Sequence, residues 1–301
     1  MGYARKTRGR VLNIQRAGYK MTVIQLLING ILLGSVYALL GLGMSMIFGI
    51  VGLTNLAHGE FIIIGAYVST LAASALGVEP VLTLLISVPL MFFIGFFLQY
   101  FLINPAMDKG QEPALLVTFG LSIILQDGML LFLTADARHI PASYALAMFH
   151  LGGLDISVLD CVLFSISAAC VVFLAFFLNR TYTGRAIRAV SDDQEAAMLS
   201  GISVKKIYAV AMGAAMATAA AAGLCVGLKW TFYPSSGGQY LLTAFIVVAI
   251  GGMGSIPGTM TAGIIFGLAQ VIGGANYGLV ISYVLILIAM AVRPGRRGGR
   301  L

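Results

Sequence analysis

Ionisable and backbone-breaking residues are scarce in this chain of 301 residues, so the places where they gather stand out. One is the string Thr54-Asn55-Leu56-Ala57-His58-Gly59-Glu60, set between two apolar runs. A His and a Glu two residues apart in such surroundings suit substrate contact or a proton relay, because ionisable groups inside a membrane are costly and usually functional. They equally suit a helix start, with Glu60 at the positive end of the helix dipole, His58 satisfying broken backbone and the Asn55 amide bonding freed peptide groups. A second gathering is Gly251-Gly252-Met253-Gly254-Ser255-Ile256-Pro257-Gly258, whose glycines and proline suit a tight turn and close packing better than phosphate binding. A third is the loop from Arg180 to Lys206, with Asp192 three residues before Glu195 in capping-box-like spacing, then Ala196, Ala197 and a candidate left-handed cap at Gly201. Asp127 stands late in an apolar run beside Gln126, and Asp136, Arg138 and His139 follow it as a solvated loop. No HExxH, paired carboxylate or Ser/His constellation is present within the apolar runs, so no catalytic residue and no metal site are expected. Cys161, Cys170 and Cys225 are isolated and read as packing residues.

The elements that must hold these groups are dictated by composition. The chain is 59% hydrophobic and 10% charged, with a mean hydropathy of +0.98, whereas a soluble domain carries about 25% charged residues. Its charges are also segregated: six lie in the first 20 residues, eight between Arg180 and Lys206, and four after Val292. Flanking charge of this kind explains the net +7 as topogenic rather than as a nucleic-acid footprint. Eight apolar runs reach or approach the roughly 20 residues needed to cross a bilayer. They lie near 23–41, 61–77, 81–103, 114–133, 158–178, 207–228, 258–275 and 277–292, and two shorter runs lie near 42–53 and 241–253. The predicted fold is an all-α polytopic membrane protein with eight long transmembrane helices, two short or broken membrane segments and two pseudo-related halves. The basic N-terminus, loop 180–206 and C-terminus are all expected on the cytoplasmic side. Counting crossings between those points requires each short run to cross or re-enter, and paired Gly/Pro-interrupted segments point to a substrate path. Its candidates are Asn55, His58, Gly59 and Glu60 in one half and Gly251, Gly252, Gly254 and Pro257 in the other. The small-residue run AVAMGAAMATAAAAG within 207–228 predicts a span buried inside the bundle, and Met91 to Phe97 a lipid-facing one.

Several stretches resemble a known family. Glu195-Ala196-Ala197 followed after three residues by Gly201 resembles the EAA loop of ABC importer permeases, although the final Leu-Pro of its fullest form is absent. GLGMSMIFGIVGLTNLAHGEFIIIGAY at 41–67, GLSIILQDG at 120–128, GRAIRAVSDDQEAA at 184–197 and GGMGSIPGTMTAG at 251–263 are similar to branched-chain amino acid permeases of the LivH type. The resemblance spans about residues 22–294. It implies a permease subunit of an ATP-driven importer, carrying branched-chain amino acids or a related small polar solute. Implied partners are a second permease subunit, homologous or identical, two cytoplasmic ATP-binding subunits and an extracytoplasmic substrate-binding protein, all at the bacterial inner membrane. Asp192, Glu195, Ala196, Ala197 and Gly201 would then couple to the ATPase. The chain contains no Gly-x4-Gly-Lys-[Ser/Thr] loop, so ATP is expected on partner subunits and no cofactor in this chain.

The expected organisation is a basic cytoplasmic extension over 1–21, a permease domain over 22–292 and a basic cytoplasmic tail over 293–301, with Met21 as an alternative start. Two other functions fit the same residues. Similar permeases handle urea and short-chain amides, and an ATP-independent secondary transporter would have the same composition but no use for a docking helix in its cytoplasmic loop.

Overall fold

The computed structural model describes residues 2–151 and 153–292. The C-terminal tail 293–301 lies outside the described residues. Among the described residues, eleven α-helices account for nearly all of the regular structure, and a two-stranded hairpin, β1 (Met148–Leu151) with β2 (Leu154–Ser157), pairs antiparallel through Phe149–Ile156 and His150–Asp155.

Helix α1 (Gly2–Val51) contributes a membrane span over Val23–Val51. That span begins beside the hairpin, where the Gln25 side chain bonds the backbone of Asp155, and ends beside α7 (Tyr182–Asp192), where the Ser191 hydroxyl donates to the Gly49 carbonyl (2.6 Å). These contacts define two ends of the bundle, a hairpin end and a loop end carrying residues 180–206. From the loop end the chain does not cross directly. Residues 52–57 climb back along α1 without helix, and α2 (His58–Leu76) starts only where the His58 ring meets the Leu40 carbonyl, halfway along the span. Helices α3 (Leu84–Leu98) and α4 (Asn104–Met107), joined by a π-turn, return to the loop end, where Asp108 pairs with Lys205. Helix α5 (Gln111–Leu133) crosses to the hairpin end and α6 (Val158–Arg180) comes back to α7 and α8 (Gln194–Leu199).

The second half repeats this plan upside down. Helix α9 (Val204–Lys229) crosses to the hairpin end, where Lys229 pairs with Asp160 of α6. Residues 230–236 dip back into the bundle, and α10 (Gly237–Gly251) starts against Gly59 and descends to the loop end. Helix α11 (Ile256–Val292) rises along α1 and breaks at Gly274 (φ 66°, ψ −173°). Its second arm folds back, bringing Gly278 onto the Gln270 carbonyl and the Tyr283 ring to 5.9 Å from Phe266. Packing is reciprocal: α2 and α3 lie on α9, α10 and α11 lie on α1, and α1 meets α9 as α2 meets α10. The two pseudo-related halves are thus inverted repeats, with α6 between them.

Close helix approach holds this arrangement. A Cβ at Gly65 of α2 would sit 2.7 Å from the Ala220 Cα, and one at Gly34 of α1 would sit 2.6 Å from the Ile264 Cα. Helix α9 is the most enclosed span, 83% buried over its membrane window, as its small residues predicted. In α3, Phe93 and Phe97 face outward while Met91 and Gly95 pack inward, so only one side of that bulky run meets lipid.

Three expectations change. Seven separate helices among the described residues are long and apolar enough to cross a membrane; the eighth run, 277–292, is not a separate helix but the second arm of α11, beyond the break at Gly274. The run 42–53 is no separate element, because Gly43 and Gly49 stay helical and let α9 and Gly254 approach α1, and the helix ends only before Gly52 (φ 68°). The start of the first span and loop 180–206 therefore lie at opposite ends of the bundle, separated by five crossings rather than six. Re-entry at 52–57 reverses the direction of the chain without adding a crossing.

Helix crossings at glycine define a stability test. Gly223→Leu places a side chain against the Ile62 carbonyl and Ala66 nitrogen, whereas Gly128 has open space around its Cα. Gly223→Leu is expected to lose at least about 1–3 kcal/mol and Gly128→Ala to be tolerated, read by thermal unfolding in detergent.

Candidate functional site

The most unusual local structure is the meeting of α2 and α10 inside the bundle. Each is short, 19 and 15 residues, and each begins at mid-depth, so two helix N-termini face one another with Gly59 packed directly on Gly237. A helix start leaves up to four N–H groups without intrahelical partners, and in a bilayer no water is available to take them. The local sequence supplies replacements. Asn55 accepts from the Ala57 nitrogen through Oδ1 (3.0 Å), and the His58 nitrogen donates to the Asn55 carbonyl (3.2 Å). The Leu56 nitrogen reaches the Thr118 hydroxyl of α5 (3.4 Å). On the α10 side, a single 3₁₀ turn at Pro234–Ser236 leads in, with the Ser236 hydroxyl accepting from the Tyr233 nitrogen (3.2 Å).

Glu60 closes the junction. It lies in the first turn of α2, is 2% exposed, and places Oε1 against Gly237, the first residue of α10; the Ser122 hydroxyl of α5 approaches it. Each helix start carries roughly half a positive elementary charge, so two of them match one carboxylate. Oε2 has no hydrogen-bond partner among the described residues, nor has Nδ1 of His58. His58 is fully buried, and its Nε2 donates to the Leu40 carbonyl (3.2 Å) while the ring edge rests over Gly43 of α1.

The structure brings Asn55, His58, Gly59 and Glu60 together but separates them from Gly251, Gly252, Gly254 and Pro257. The latter group forms a turn at the loop end, with Gly252 and Gly254 at positive φ (93° and 84°) and the Ser255 hydroxyl accepting from the Gly258 nitrogen (3.1 Å). Gly254 packs on Gly49, and with Pro257, Asn179, Arg188 and Ser191 it borders a cavity of about 280 Å³ beside α7. The true counterpart of the first break is residues 230–237. Its sequence signal, the string Tyr233-Pro234-Ser235-Ser236-Gly237-Gly238, sits before the apolar run 241–253 rather than after it.

At the loop end, α8 has the expected position. Its cap is Asp193, however, not Asp192: Asp193 has extended backbone (φ −151°, ψ 106°) and accepts from the Glu195 and Ala196 nitrogens at 2.9 and 3.0 Å, while Asp192 completes α7. Gly201 ends the segment at φ 82°, and the next nitrogen, of Ile202, bonds the Ala197 carbonyl (3.0 Å). Ala197 is buried, Glu195 and Ala196 face outward, and Leu199 is 91% exposed. No group of His, Cys, Asp or Glu suited to a metal occurs among the described residues.

Inverted repeats with broken helices meeting at mid-depth are an architecture of membrane transport proteins. The comparison with known proteins narrows this: residues 26–290 match the family described as branched-chain amino acid transport system, permease component. The chain belongs to that family. It is 30% identical over 292 residues to the high-affinity branched-chain amino acid transport system permease protein BraD of Pseudomonas aeruginosa, covering 90% of this chain and 94% of that protein. It is equally similar, 30% over 290 residues with the same coverage, to the corresponding permease protein LivH of Escherichia coli K12. A more limited similarity, 32% over 138 residues and 40% of this chain, is to the ribose import permease protein RbsC of the same strain, of which it covers 42%.

Replacing His58 by Ala removes the donor to the Leu40 carbonyl and opens a void beside Gly43. The expected outcome is a loss of about 1–3 kcal/mol in stability and slowed solute uptake by a complex that still inserts and assembles. Uptake kinetics equal to the parent would reduce His58 to a packing role.

Proposed function

We propose that this chain is the membrane-spanning permease subunit of an ATP-driven importer for branched-chain amino acids, with α7 and α8 as the coupling element. The observation that carries the reading is the exposed apolar tip of α8. Met198 and Leu199 are 50% and 91% exposed on a loop that is capped and terminated at both ends. A short helix is marginal alone, and exposed apolar side chains of this kind mark a surface that another protein covers. In this family that partner is a cytoplasmic ATP-binding subunit, two of which would bind the ATP that no loop of this chain is built to hold. A second permease subunit, homologous or identical, and an extracytoplasmic binding protein complete the assembly.

Docking of α8 makes the loop end cytoplasmic. The first span then starts on the outer side, the second arm of α11 returns to the cytoplasm, and the tail 293–301 follows it there; the chain resides in the bacterial inner membrane. Residues 22–292 are the permease domain. The route from ATPase to path runs through Ser191, whose bond to Gly49 ties α7 to the end of α1, two residues before the chain turns into the first break. The breaks bound the path rather than open into it: Asn55, His58, Gly59 and Glu60 form its closed inner support, with Gly251, Gly252, Gly254 and Pro257 acting at the coupling end.

The partial likeness to a ribose permease favours a second reading in which the solute is another small polar molecule, urea or a short-chain amide included. Uptake by the complex reconstituted with its ATPase and binding protein separates them: leucine is expected to be carried and to compete with valine and isoleucine, whereas ATP-dependent uptake of urea or ribose without leucine would replace the first reading by the second.

Coupling is tested at α8. A proline ring cannot adopt the φ of 82° found at Gly201, and a lysine in place of Glu195 reverses the charge in the first turn of the helix. Gly201→Pro and Glu195→Lys are each expected to lower ATP-driven uptake by about tenfold or more, a change of roughly 1.4 kcal/mol or above, with membrane insertion unchanged. Normal uptake with both changes would remove α8 from the coupling role.

A further inference from the structure

Helix α5 is the least enclosed of the seven spans, 11% buried over its membrane window. One face, with Ala114, Thr118 and Met129, packs toward α2 and the turn at Pro234–Ser236. The opposite face carries Asp127. Ile123, Ile124 and Leu131 lie three or four residues from it and so share its side of the helix, and all of them are exposed. Gly120, two turns earlier on the same side, has nothing within 4 Å of where a Cβ would stand.

A carboxylate on this face is out of place if the face meets lipid. The helix is 23 residues long, about 34 Å, and Asp127 is five residues past its centre, so it sits about 8 Å inside a hydrocarbon core of roughly 30 Å. Lys and Arg reach the interface from such depths by snorkelling along their methylenes, but Asp has a single methylene. Nor is Asp127 neutralised within the chain: it takes part in none of the ion pairs or side-chain hydrogen bonds among the described residues. The cations of 23–292 lie at span ends or in loops, with Lys229 and Lys205 paired to Asp160 and Asp108 and Arg138 bonded to the Leu133 carbonyl. An identical second copy would bring none to this depth either.

We propose that the Asp127 face of α5 lines the aqueous translocation path and that the Asp127 carboxylate is the transient counter-ion for the ammonium group of the amino acid in transit. Ile123, Ile124 and Leu131 present the aliphatic surface for its side chain, and Gly120 leaves the space. This assignment rests on the reading of the chain as an amino acid permease and names the group that makes the path selective for an ammonium-bearing, aliphatic solute. The solute is held weakly because one exposed carboxylate contributes little when water competes, which suits a site that must release as readily as it binds.

Two measurements on the complete complex in membranes test it. In a chain with Cys161, Cys170 and Cys225 replaced by Ala, Asp127→Cys is expected to react with a water-soluble methanethiosulfonate reagent, and leucine delivered by the binding protein is expected to slow that reaction. Asp127→Asn is expected to cut the maximal rate of leucine uptake by about threefold to fivefold, the size of loss an exposed ion pair gives, with ATPase subunits still copurifying, and Asp127→Glu to retain most of it. An unreactive thiol in the assembled Asp127→Cys complex would mean that lipid or a partner subunit covers the face, and full uptake by Asp127→Asn would mean that the charge is not used; either overturns the proposal. Failure of the underlying reading looks different: the parent complex then shows no leucine uptake, whatever the reactivity at position 127.

Discussion

A helix that begins in the middle of a membrane must hide the N–H groups of its first turn, and this fold does so twice at one point. Helices α2 and α10 start head to head, and the groups that surround their starts come from elements distant in sequence: Leu40 and Gly43 of α1, Thr118 and Ser122 of α5, and Gly237 against Gly59. Because lipid supplies no hydrogen bonds, the junction exists only if all of these arrive together. The inverted packing follows from the same need. If α2 is to climb from the junction beside α9, α10 must descend from it beside α1, and α1 and α9 must then touch between them. Small residues where α1 meets α9 and α11, and where α2 meets α9, make the required distances available. Glu60 supplies the charge that two opposed helix starts call for.

How much of this was legible in the sequence follows from which interactions are local. Spans are local, since a run of apolar residues announces itself, and seven of eight proposed runs correspond to membrane-length helices. The α8 segment is local too: a carboxylate before Glu195 and Gly201 after it are enough to place a helix, although the expected cap, Asp192, is one residue too early and Asp193 takes that role. The first break was visible because its polar groups, Asn55, His58 and Glu60, interrupt an apolar stretch. The second was not, because residues 230–237 carry no charge and their backbone is satisfied by a 3₁₀ turn and a serine. The glycines at 251–258 are more conspicuous in the sequence, yet they make an ordinary turn at the bundle end. Re-entry also defeats a count of crossings, because hydropathy registers that apolar chain is in the membrane and not which way it is heading.

The two glycine-bearing regions, although at different depths, are mechanically connected. Gly254 of the second half rests on Gly49 of the first, and Ser191 of α7 holds the carbonyl of that same Gly49. A displacement of α7 is therefore delivered where α1 ends, α10 ends and α11 begins. From there α1 leads into the first break within a few residues, and α10 leads back along its length to the junction. The cavity of about 280 Å³ beside Arg188 and Asn179 leaves α7 room to shift without compressing packed side chains.

The junction itself is closed. His58, Glu60 and Asn55 are 0 to 2% exposed, and α9 behind them is the most enclosed helix of the molecule. A solute cannot pass through such packing unless the half-helices part, and parting them would expose two sets of N–H groups and a carboxylate at once. That penalty makes the centre of the bundle a poor channel and a good fixed reference for the helices around it. The proposed path then runs on the outer side of α5, the thinly covered helix that walls the junction from its surroundings. There Asp127 and the open Gly120 stand opposite the packed side of the helix, which carries Ala114, Thr118 and Met129. Movement of α7 relative to the closed junction would tilt the elements at the loop end while the mid-depth contacts stay made, which is how a protein lined with strict backbone requirements can still change which side of the membrane its surface opens to.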